Sequence, residues 1–176
     1  PGEASHPAPA PRARPPQIPA APPPTEARPP ARDPWVGEIP EPLLPFHAMV
    51  EDGYVFEERR EIGTLYALVQ AMPDDPRPLL LLGHLFVGRE WYSHALVRYE
   101  RAYELDETVR GDPHLLRNLV FMAARDSVGD RAAEMIARLY GPDALPALQI
   151  GIDEQSGHAL AQLRLVNLRE RLRAMQ

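Results

Sequence analysis

The stretch Leu79 to Leu105, LLLLGHLFVGREWYSHALVRYERAYEL, constrains the fold more than any other part of this chain. Leu79, Leu82, Gly83 and Phe86 fall at i, i+3, i+4 and i+7, the spacing of one helix face. Leu80, Leu81, Leu85 and Val87 fill the other sides, which predicts a helix buried almost all round. Gly88-Arg89-Glu90 breaks the pattern. Tyr92, Ala95, Leu96, Tyr99, Ala102 and Tyr103 then resume the period, leaving Arg98, Glu100, Arg101 and Glu104 for solvent. Two apolar-faced helices joined by so short a break fold back on each other as an antiparallel hairpin.

A second unit repeats the design. Asp112-Pro113 offers a capping carboxylate and a proline in the first turn, where its missing N–H costs nothing. Leu116, Leu119, Val120 and Ala123 repeat the i, i+3, i+4, i+7 stripe; Asp126 to Asp130 turns the chain; Ala132, Ala133, Ile136 and Leu139 return. Leu116 follows Leu79 by 37 residues. Asp74 or Asp75 caps the first unit in the same way, ahead of Pro76.

This spacing resembles the tetratricopeptide repeat, a helical hairpin of about 34 residues with the pattern W-x2-L-G-x2-Y…A-x3-F. Leu79 stands at the Trp position, Leu82-Gly83 matches Leu-Gly, and Phe86 stands for Tyr. Ala95, Tyr99 and Ala102 take the small, aromatic and small positions of the second helix. The resemblance implies an all-α solenoid with two clear repeats plus capping helices. Upstream, Leu43 to Val50 reads as a short helix and Phe56 to Met72 as a firmer one, a degenerate first repeat with Pro45 and Asp52 at core positions. Downstream, Ala144 to Ile152 forms a short helix. A last helix from Gly157 carries Ala161, Leu165, Leu168, Leu172 and Met175 on its inner face.

Of the 22 prolines, 15 lie within residues 1–42. Proline fixes φ and removes a donor, so this segment cannot build a helix or a central strand. The expected organisation is a disordered Pro/Ala/Arg-rich linker over 1–42 and a helical domain over 43–176. Trp35, Val36 and Ile39 are expected to latch onto the first helices, with the boundary between Asp33 and Pro42. The chain opens on Pro rather than Met, which points to a piece of a longer protein.

Composition then removes chemistries. There is no Cys, so no disulfide, thiolate metal site or cysteine nucleophile. All 19 basic residues are Arg, which excludes a phosphate-loop lysine, a kinase strand lysine and Schiff-base chemistry. Net charge is −6 without a basic stripe, so nucleic acid is not an expected partner. No apolar run approaches membrane-spanning length, and no membrane contact is expected. His84 and His94 are ten residues apart on facing helices and need not converge on a metal; no catalytic residue, metal or cofactor is expected.

What remains is surface. In the repeat family the first helices line a concave groove, and the matching positions here are Arg77, Leu80, His84 and Val87, then His114, Arg117 and Phe121, with Arg125 beside them. The lysines of the carboxylate-clamping members are absent, so that specificity is not carried over. The expected function is a non-catalytic protein–protein interaction and scaffolding module that holds a protein or peptide partner. The order of linker, repeats and a YGPDALPAL step is similar to the C-terminal tails of some bacterial serine/threonine protein kinases, which implies a cytoplasmic signalling context. A periplasmic envelope adaptor on a proline-rich spacer is the competing expectation, and a small helical enzyme the third.

Overall fold

The computed structural model describes residues 29–53 and 59–175. Residues 1–28 of the expected linker, and Phe56 to Glu58 of the expected second helix, lie outside the described residues. Among the described residues the chain is helical throughout, with eight α-helices and no strand. They are α1 (Leu44–Glu51), α2 (Arg59–Ala71), α3 (Arg77–Gly88), α4 (Tyr92–Leu105), α5 (Pro113–Ala123), α6 (Gly129–Leu139), α7 (Leu145–Glu154) and α8 (Ala159–Arg173). Short 3-10 turns at Glu41–Leu43, Glu107–Gly111 and Gly141–Ala144 join some of them.

Consecutive helices pair as hairpins, α3 with α4, α5 with α6 and α7 with α8. Neighbouring hairpins then meet first helix to first helix, α3 on α5 and α5 on α7. The second helices follow suit, α4 on α6 and α6 on α8. This side-by-side arrangement is compatible with a helical repeat. The reason is the sequence pattern: each hairpin has an apolar side that one neighbour alone cannot cover. α3 is buried on every side from Pro78 to Phe86, as its unbroken leucine run requires. Leu82, Leu85, Phe86, Leu96, Tyr99, Leu115, Leu119 and Ile136 are all at most 1% exposed and form the centre of the core.

Local signals explain the element ends. Asp112 is the N-cap of α5, its Oδ1 accepting from the backbone N–H of His114 (2.9 Å) and Leu115 (2.7 Å). Asp75 Oδ1 accepts from the Arg77 N–H at 2.9 Å, although Pro76 itself stays outside the helix as its N-cap residue. Asp130, read with Asp126 as part of the turn, lies inside the first turn of α6, whose N-cap residue is Val128. α8 begins at Ala159, two residues later than the glycine suggested.

The turn between α3 and α4 is a Schellman closure. The Trp91 N–H bonds to the Phe86 carbonyl (2.8 Å) and the Glu90 N–H to that of Val87 (3.0 Å). The left-handed residue this closure demands is Glu90, at φ 61°, rather than the nearby Gly88. Gly83 serves packing instead: a Cβ there would fall inside the Tyr99 ring of α4. α8 buries Leu165, Leu168 and Leu172 and leaves Met175 exposed.

The segment before α1 is packed rather than loose. The Arg32 N–H donates to the Thr108 carbonyl at 2.9 Å, and the Arg32 backbone crosses Gly111 so closely that a Cβ there would strike it. Trp35 is buried against the ring of His47, centroids 4.4 Å apart, while Val36 points out at 81% exposure and Ile39 is half-buried. The domain therefore holds chain from about Arg32 onward.

Candidate functional site

Two assemblies of polar and apolar groups stand out on α3, α5 and α7. The first is enclosed. His84 of α3 and Tyr99 of α4 are buried, and the Tyr99 hydroxyl meets His84 Nδ1 at 2.9 Å. Asn118 Nδ2 of α5 donates to the same hydroxyl (2.9 Å) and stands 3.0 Å from His84 Nδ1. His84 Nε2 faces the Asp112 carboxylate at 3.4 Å. The Trp35 indole N–H closes the network from the preceding segment, donating to Asp112 Oδ2 at 2.7 Å.

These contacts set the charges. Burial acts to raise the Asp112 pKa, but the His84 imidazole, the Trp35 indole and the Leu115 N–H outweigh it and bring the carboxyl down to about 2. Burial pushes the Tyr99 hydroxyl well above its usual range, against the bond from Asn118. Burial, joined by the charge of Asp112, also pushes the Tyr140 hydroxyl far up. Of the network only Asn118 reaches an open surface.

The second assembly is that surface, a groove of about 650 Å³ built mainly from the first helices of successive hairpins. Val87 and Gly88 end α3 on one side, Leu116, Arg117, Val120 and Phe121 of α5 form the middle, and Ile150, Gly151 and Glu154 of α7 form the far side. Tyr92 and Glu90 close it at the α3–α4 turn. The Arg125 guanidinium lies 4.2 Å from the centre of the Phe121 ring and 5.9 Å from that of Tyr92, a cation–π clasp over the rim. Burial raises the Tyr92 hydroxyl pKa, with Arg125 pulling the other way.

The eight expected groove residues therefore separate. Val87, Arg117 and Phe121 line the groove together, and Arg125 lies over Phe121. The other four stand elsewhere. Leu80 is fully buried and His84 belongs to the enclosed network. His114 bonds through Nε2 to Glu51 of α1 at 2.9 Å. Arg77 forks onto Asp75 (Nη2 to Oδ2, 2.6 Å) and donates to the Glu38 carbonyl at 3.0 Å. Burial opposes the low pKa of Asp75, and the bonds from Arg77 prevail. α1 and α2 both pack on α3, and the segment carrying Trp35 and Glu38 reaches Asp112 and Arg77.

Sequence reasoning missed Tyr92 and the whole α7 side. The available signal was Gly151, a glycine inside a helix, where a Cβ would run into Val120. His94 stands against Phe86 and Trp91, not with His84. Among the described residues no group of three or more His, Asp or Glu comes together as a metal set, and no helix is long and apolar enough to cross a membrane. No protein-family model matches the chain, and no curated protein or solved structure matches it.

Proposed function

We propose that this chain is a non-catalytic protein–protein interaction module of the tetratricopeptide-like kind, holding a protein or peptide partner in the groove between α3, α5 and α7. The observation that carries the reading is the groove itself: an apolar floor of Val87, Leu116, Phe121 and Ile150 beneath a charged rim. Ile150 is left 60% exposed there, a large apolar side chain in want of cover. The proline-rich start then acts as a tether, and the module belongs to the C-terminal part of a bacterial signalling protein such as a serine/threonine kinase.

The test is the double variant Arg117→Glu with Phe121→Ala, used as bait in lysate of the native host. Both side chains face the groove and neither lies in the fully buried core, so helical circular dichroism stays intact. Partner capture is lost. Unchanged capture by the double variant removes the groove from the function.

A further inference from the structure

We propose that the occupant of this groove is a short amphipathic helix of the partner, two to three turns long, whose apolar stripe is bordered by both acidic and basic residues. The inference rests on the binding role argued above and specifies its ligand.

The chain itself supplies a worked example. Leu80, His84 and Val87 stand at i, i+4 and i+7 on α3, and His114, Arg117 and Phe121 at i, i+3 and i+7 on α5, so each set shares one helix face. The first part of that surface is already occupied. α1 packs on α3, burying Phe46 and half-burying Met49 and Val50, and its last residue, Glu51, reaches across to His114. A short, largely apolar helix that ends in one carboxylate is thus what this surface accepts from its own chain. Where α1 stops, the same faces continue as the open groove.

The rim specifies the charges. Glu154 ends α7, against the negative end of the macrodipole, where Arg or Lys is the favourable choice. Glu90 moreover holds a left-handed backbone that glycine would adopt without strain. Among the described residues neither carboxylate makes an ion pair. Two local rules are broken at one rim of one groove, which is where a fold departs from them for binding. Both carboxylates are placed to receive a basic side chain. From α5 between them comes exposed Arg117, which among the described residues makes no ion pair and stands 3.2 Å from His114 Nδ1, and Arg125 sits above Phe121. These two are placed for acidic residues. A ligand of one sign would meet repulsion from half of this rim.

The experiment uses the full chain and three synthetic fifteen-residue peptides sharing one leucine stripe, flanked by Glu and Arg together, by Glu alone, or by Arg alone. Titration calorimetry and amide spectra read affinity and location. The mixed peptide binds at the groove about tenfold more tightly than either uniform one. Glu90→Arg with Glu154→Arg shifts the preference to the Glu peptide, and Arg117→Glu with Arg125→Glu shifts it to the Arg peptide. Phe121→Ala weakens all three. Equal affinities, or an order that the charge reversals do not move, overturn the inference while leaving the groove as a binding site. Peptide-induced shifts confined to other surfaces overturn both. A dimer that forms without peptide and is lost in Phe121→Ala makes a second copy the occupant and overturns the helix assignment as well.

Discussion

The substitution Asp112→Asn tests the enclosed network by its pH dependence. The carboxyl is 2% exposed and sits near 2 in the folded chain, against 3.8 for an ordinary aspartate. A depressed folded value means that the ionised form is the one the fold prefers. The stabilisation is therefore fully present above the unfolded value and is lost as pH falls through the folded one. A difference of nearly two units corresponds to about 2 kcal/mol. Asparagine keeps one oxygen to cap α5 but turns an amide N–H toward the Trp35 indole N–H, leaving two donors face to face. Urea unfolding followed by circular dichroism gives the check. The variant is less stable by about 2 kcal/mol at neutral pH, and the gap between it and the native chain closes between about pH 4 and pH 2. A gap of constant size through that window refutes the assignment. A gap that closes near about pH 6 transfers control to a histidine.

Gly83→Ala drives a methyl group into the Tyr99 ring, so thermal melting falls by the equivalent of about 1–3 kcal/mol. Leu82→Ala opens a cavity at a fully buried site and costs about 2–5 kcal/mol in the same assay. Glu90→Gly relieves the left-handed backbone and raises stability by about 1 kcal/mol, read as an upward shift in melting temperature. Gly111→Ala strikes the Arg32 backbone and loosens the Trp35 segment, which limited proteolysis detects as new cleavage between residues 29 and 40 while the helices persist.

Most helices were legible because their stripes are long and regular, and two of their starts because Asp75 and Asp112 announce them. The groove was half legible. Arg117, Phe121 and Val87 follow from the repeat register, since periodicity decides which face of a helix a residue occupies. Periodicity says nothing about what else covers that face. Leu80 and His84 have the right spacing and are buried all the same, because α1, α2 and α5 all pack on α3 and Tyr99, Asp112 and Asn118 close on His84. The Trp35 bond to Asp112 joins residues 77 apart, and no local pattern encodes it. The left-handed residue at 90 went unread because a glycine two positions earlier offered a more ordinary place for the break.

The coverage of α3 is also what gives the groove its position. A row of first helices would by itself present a continuous concave strip from Arg77 to Glu154. Here the strip is divided: α1 and the segment at Trp35 fill its start, and the opening begins at Val87. The Trp35 side of this division runs through Asp112, which caps α5, faces His84 and holds the indole. The N-terminal turn of α5, which carries His114 and leads to Arg117 and Phe121, is thus fixed by the segment that closes the neighbouring half. Releasing Trp35 would do two things together. It would uncover the His84 face of α3, and it would take one donor from the carboxylate that starts the groove's central helix. The closed half and the open half thus share one anchor, the Asp112 carboxylate at the start of α5.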